Sequence, residues 1–127
     1  MIKSVAFDLT GRQIAVASVA NRYTTAEDGS ATQPLDQTWN DCVRSLRQLA
    51  EAVPNLAHRV TAVAVTGQGD GTWLIDKDHQ PVGDAWLWLD ARAGHTAEKL
   101  RQSSNDDARF LRTGTGLNAC QQGAQFV

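Results

Sequence analysis

Cysteine is scarce in this 127-residue sequence: Cys42 and Cys120 are the only two. They stand far apart, with no CxxC or Cys/His spacing, which speaks against a disulfide framework and against a zinc site and leaves two incidental thiols. Positive charge is also in short supply. Twelve Lys and Arg against 14 Asp and Glu give a net charge of -2 and a pI near 5.8, so there is no basic surplus for a phosphate backbone or an anionic membrane surface. Nucleic acid and membrane are accordingly not expected as partners. Long apolar runs are missing: Val60 to Val65 falls far short of the roughly 20 residues that cross a bilayer, and no charged-then-apolar leader opens the sequence. A cytoplasmic location is the expectation. Internal repeats and low-complexity tracts are absent as well.

What remains, 42% hydrophobic and 20% charged residues, is the makeup of one soluble globular domain. Ile2 to Asp8 and Gln13 to Val19 read as strands around the turn-forming Leu9-Thr10-Gly11-Arg12, which predicts an antiparallel hairpin. Asn21 to Pro34 reads as an exposed connection. Asp36 or Thr38 can cap a helix in which Trp39, Val43, Leu46, Leu49 and Ala50 recur at helical spacing, ending near Pro54. Arg59 to Thr66 is rich in β-branched residues and follows a helix, which predicts a buried parallel strand. Thr72 to Ile75 and Ala85 to Leu89 predict a second hairpin around the polar link Asp76 to Pro81. Ala91 to Gln102 and Asp106 to Leu111 have helical character, and another helix is expected from Leu117 onward, with no cap before Val127. The expected class is α/β.

The chemistry concentrates at Gly67-Gln68-Gly69-Asp70-Gly71. Glycines let a ligand approach the backbone, Gln68 both donates and accepts, and ionised Asp70 accepts from two hydroxyls, a pairing that suits a polyhydroxylated ligand. A tight turn whose glycines only meet a backbone requirement is the competing reading. In Trp86-Leu87-Trp88-Leu89-Asp90-Ala91-Arg92, strand alternation puts both indoles on one face. An indole there can stack on the C-H face of a sugar or polyol; two core tryptophans with Asp90 as a helix cap is the alternative. Gly114-Thr115-Gly116 lacks the preceding strand and third glycine of a nucleotide loop. His58, His79 and His95 show no metal-ligand spacing and read as surface residues. Asp8 to Gly11 reads as a hairpin turn, because a strand and not a helix N-terminus follows it.

The order of these motifs resembles the N-terminal domain of FGGY carbohydrate kinases along essentially the whole chain. The resemblance rests on Phe7 to Ala15, on Trp39 in a capped helix, on Val63 to Gly71, on Leu74-Ile75-Asp76, on Pro81 and on Trp88-Leu89-Asp90-Ala91-Arg92. The glycine-aspartate loop is most similar to that of the kinases of short sugar alcohols, the erythritol kinase type. The resemblance implies an actin-like, ribonuclease H-like fold with a mixed sheet and flanking helices, in which two domains clasp ATP and substrate. It implies substrate-binding roles for Gln68, Gly69, Asp70 and Trp88. It also places Cys120 and Gln121 about where glycerol kinase has a substrate-binding Tyr, although no aromatic stands there in this sequence.

The same resemblance implies that residues 1–127 are a partial N-terminal domain, truncated at both ends. The Asp-x-Gly-Thr strand that supplies the phosphate and magnesium turn, the general base and the second domain would all be missing. ATP and Mg2+ are then expected for the intact enzyme, which would phosphorylate a hydroxyl of a small polyol such as a tetritol, or of a pentulose. This chain alone is expected to be inactive. Loss of the first strand would leave an unpaired sheet edge, so self-association into a homo-oligomer is expected, and a non-catalytic binding or dimerising module is the reading from another functional class.

Overall fold

The computed structural model describes residues 1–127 and divides into two compact units, Met1–Arg22 with Leu35–Gly67 and Tyr23–Pro34 with Gln68–Val127. In the first unit, β1 (Ile2–Phe7) and β2 (Gln13–Val19) form an antiparallel pair with Val5 opposite Val16 and Ser4 opposite Ala17. The turn between them is built by Asp8. Its Oδ1 accepts from the backbone N-H groups of Thr10 and Arg12, at 2.9 and 3.0 Å, and from the Thr10 hydroxyl at 2.6 Å. Such a closed side-chain-to-backbone turn is the predicted hairpin. The Thr10 hydroxyl, followed by the Arg12 N-H, holds the Asp8 carboxyl below the ordinary carboxylate value.

Helix α1 (Leu35–Ala52) packs on this hairpin. Asp36 lies inside its first turn, where a carboxylate is favoured by the helix dipole. Leu49 and Val53 bury themselves against Ala6 and Ala17, and the fully buried Ser45 meets Ser4 with 2.7 Å between their hydroxyl oxygens. The buried Asp41 accepts from Gln37 Nε2 at 2.9 Å and Arg44 Nη2 at 2.6 Å. Of the apolar stripe predicted for this helix, Leu49 alone is buried, while Trp39 and Leu46 are 70% and 55% exposed. The small residues Ala6, Ala17 and Ser4 admit Leu49 and Ser45 closely, and the bulkier stripe lies on another face.

The predicted strand at Arg59 to Thr66 is not formed. Arg59 ends a short helix, α2 (Leu56–Arg59), and 60–66 run outside any sheet, with Val63 and Val65 78% and 92% exposed. A β-branched run becomes a strand only where its N-H and C=O groups find a ladder, and the sheet of this unit holds β1 and β2 alone. No parallel pairing is formed.

In the second unit, β3 (Thr24–Thr25), β4 (Ala31–Gln33) and β5 (Ala85–Trp86) make an antiparallel sheet in that order. The expectation of an exposed connection at Asn21 to Pro34 is thereby corrected: Ala31 and Gln33 are buried. The pairing with residues distant in sequence orders a stretch that has no periodicity of its own. The predicted second hairpin is reduced to bridges at Thr72–Trp86 and Ile75–Pro81. The chain turns after Trp86, with the Asp90 N-H donating to the Leu87 carbonyl at 2.9 Å. Helices α3 (Gly94–Arg101), α4 (Asp106–Thr113) and α5 (Gln122–Gln125) follow. Ala93, Ala97, Leu117 and Ala124 form the core beneath them. No helix is long and apolar enough to cross a membrane.

Candidate functional site

The Gln68–Gly71 loop and the segments that meet it belong to the second unit. Gln68, Gly69 and Asp70 are exposed, whereas Gly71 and Thr72 are buried. Gly69 and Gly71 take φ of +87° and +100°, a region open to glycine at little cost. The loop is therefore a strained path for any other residue, and it is anchored on both sides. The Gly71 N-H donates to the Cys120 carbonyl at 3.0 Å, and the Thr72 N-H donates to the Trp86 carbonyl at 2.8 Å. The Thr72 hydroxyl also bonds the Gln125 side chain.

Two segments distant in sequence thus meet the loop. The first is Trp86–Trp88: a Cβ placed on Gly71 would stand 3.3 Å from the Trp88 backbone nitrogen. Trp88 is half exposed and Leu87 is buried. The second is the Asn118–Gln121 turn, closed by the Gln121 N-H donating to the Asn118 carbonyl at 3.1 Å. Here Cys120 comes against Asp70. Burial, then the negative charge of Asp70 and its hydrogen bond with the thiol, push the Cys120 thiol above its ordinary value.

The Trp-x-Asp-x-Arg segment is braced internally. Asp90 is buried, and its Oδ2 accepts from the Ala31 N-H at 3.0 Å. Arg92 Nη2 and Nε reach the same carboxylate at 2.7 and 3.1 Å. Burial works to raise the Asp90 carboxyl, but the Arg92 side chain and the N-H groups of Ala31 and Arg92 outweigh it and hold the group below its ordinary value. The Arg92 guanidinium carbon lies 3.7 Å above the centre of the Trp86 ring.

Of the residues singled out from sequence, Asp70 directly precedes Gly71, which meets the Trp88 backbone, while Gln68 and Gly69 are exposed at the head of the loop. The Gln121 side chain is turned to its own loop. Its Oε1 accepts from the Asn118 N-H at 3.1 Å and its Nε2 lies 3.5 Å from the Thr115 hydroxyl. Cys120, set aside in the sequence as an incidental thiol, is the residue of that turn which meets Asp70. The one sequence signal for it was its alignment with a substrate-binding aromatic. The Asp8 turn, by contrast, spends its carboxylate on Thr10 and Arg12, and no three His, Cys, Asp or Glu side chains cluster as metal ligands would.

The family model for the FGGY family of carbohydrate kinases, N-terminal domain, matches residues 1–125. The chain is 59% identical to an erythritol kinase of Brucella abortus over all 127 residues, which is 24% of that protein. It is 29% identical to a probable L-xylulose kinase of Haemophilus influenzae over 72% of the chain and 19% of that protein. Similarity to a glycerol kinase of Alcanivorax borkumensis is 28% over 91% of the chain and 23% of that protein. Among solved structures, a xyloylose kinase from Brucella ovis superposes with a TM-score of 0.86 over 97% of this chain and 25% of that one, at 21% identity. The chain spans about a quarter of the length of such relatives. Fold, motif order and family match agree: the chain belongs to the FGGY family of carbohydrate kinases, matching their N-terminal domain in sequence and fold.

Proposed function

We propose that residues 1–127 supply the acceptor-binding wall of an ATP-dependent kinase that phosphorylates a hydroxyl of a small polyol, a tetritol such as erythritol. The observation that carries this reading is the meeting of Asp70, Cys120 and the Trp88 backbone around the Gly69–Gly71 loop. An exposed carboxylate, in a loop that meets the backbone of a half-exposed tryptophan, offers acceptors for hydroxyls, and the indole offers a flat face for C-H groups. The 59% identity to an erythritol kinase favours a tetritol. In this reading Asp70 accepts from two neighbouring hydroxyls and Gln68 donates to and accepts from a third. Gly69 keeps the backbone open to the ligand, Trp88 stacks, and Gln121 holds the turn that presents Cys120.

The Asp8 carboxylate is spent on its own turn, on the N-H groups of Thr10 and Arg12, the Thr10 hydroxyl and Arg12 Nε, and is not offered to a phosphate or a metal. The reading therefore assigns ATP and Mg2+ to parts of the kinase other than residues 1–127, leaving both compact units as pieces of one partial domain whose work is acceptor positioning. With ATP as donor, the cytoplasm is the compartment.

The L-xylulose kinase relatives support a pentulose as the second reading. The test is phosphorylation of tetritols, pentitols, glycerol and pentuloses by the full-length protein carrying this chain. Highest kcat/KM on a tetritol supports the proposal; highest kcat/KM on a pentulose favours the second reading; no turnover on any acceptor favours a binding module.

A further inference from the structure

We propose that Arg92 is a positioning residue for this acceptor wall, acting through Asp90 and Trp86 without touching substrate; the inference rests on the function proposed above. The guanidinium is committed on two sides. Its Nε and Nη2 go to both oxygens of the buried Asp90, and its face lies on the Trp86 ring. A planar, bidentate and stacking cation does what Lys cannot. Asp90 is tied in turn to β4 through the Ala31 N-H at 3.0 Å. The Trp86 side chain is thus clamped from the same direction as its strand.

The backbone of Trp86 carries the consequence. Its carbonyl accepts the Thr72 N-H at 2.8 Å, and its N-H donates to the Thr72 carbonyl at 3.0 Å. That same carbonyl stands 2.5 Å from the position a Gly71 Cβ would take. Any shift of Trp86 is therefore a shift of Gly71, and with it of Asp70. Two residues further along, Trp88 leaves the same backbone. Fixing one indole with Arg92 thus sets both the carboxylate and the second indole of the wall.

The test compares Arg92→Lys with Arg109→Lys in the full-length protein, Arg109 being another partly buried arginine of the same unit, paired with Asp106. Loss of a bidentate, stacked guanidinium is expected to raise the acceptor KM about tenfold, with kcat and the ATP KM within about twofold. Arg109→Lys is expected to leave all three unchanged. Amide exchange at Gly71 and Thr72 is the readout independent of turnover, and it should speed about tenfold in Arg92→Lys alone. Should Arg92→Lys fail to fold, Trp86→Phe, which keeps a ring but weakens the stack, carries the same comparison. Unchanged exchange at Gly71 and Thr72, or equal effects of the two lysine variants, overturns the inference. Absence of turnover by the unaltered protein overturns the proposed function while the exchange result still decides the role of Arg92.

Discussion

The carbonyl oxygen of Trp86 stands 2.5 Å from where a Cβ on Gly71 would sit. Backbone meets backbone there, so neither side yields cheaply, and φ of +100° adds strain for any L side chain. Gly71→Ala is expected to destabilise the fold by about 2–4 kcal/mol and to raise the acceptor KM. Gly67→Ala, with an ordinary φ and no atom within 4 Å of its added Cβ, should stay within about 0.5 kcal/mol. Urea unfolding of both variants checks the contrast.

Asp90 gives a pH signature. Its carboxyl is held below the ordinary value of 3.8 by Arg92 and the Ala31 N-H despite the opposing effect of burial. A depressed folded value means the ionised group stabilises the native state; that contribution is whole above the unfolded value and is lost as pH falls through the folded one. Asp90→Asn should therefore cost about 2–3 kcal/mol at neutral pH. The gap to the unaltered protein should narrow as pH falls below the ordinary carboxylate value and through the depressed one. Chemical denaturation across that range reads the difference directly.

Burial divides the leucines of α1. Leu49 is 4% exposed among Ala6, Ala17 and Val53, whereas Leu46 is 55% exposed. Leu49→Ala is expected to cost about 2–4 kcal/mol, because the small alanines around it cannot close the cavity. Leu46→Ala should cost less than about 1 kcal/mol, as measured by thermal or urea unfolding of the 127-residue chain.

Cys120 should be slow to alkylate near neutral pH, because burial and Asp70 keep its thiol protonated, and the thiolate is the nucleophile. Asp70→Asn removes the charge and should speed the reaction, leaving only burial to oppose ionisation. Rates of iodoacetamide labelling at the Cys120 peptide, followed by mass spectrometry, test this. An unchanged rate in Asp70→Asn would separate the two residues.

These contacts also show where sequence reading reaches and where it stops. The β1–β2 hairpin was legible because Asp8, Thr10 and Gly11 carry their own turn chemistry. Gln68 to Gly71 stood out because glycines beside an amide and a carboxylate are an unusual local signal. The run Arg59 to Thr66 misled because propensity is local while a ladder partner is not. β3 and β4 were hidden for the converse reason: Ala31 is placed by Leu87 and Asp90, which lie more than 50 residues away. The stack of Arg92 on Trp86 spans a turn and follows no helical or strand period, and Cys120 acquires its neighbour only in the folded chain.

The central claim is that Asp70 holds the acceptor. Steady-state kinetics of the full-length protein with a tetritol and ATP, comparing the unaltered chain with Asp70→Ala, test it most directly. Loss of a charged acceptor for two hydroxyls should lower kcat/KM for the tetritol by about a hundredfold or more while the KM for ATP stays within about twofold. Tetritol kinetics unchanged by Asp70→Ala would contradict the account.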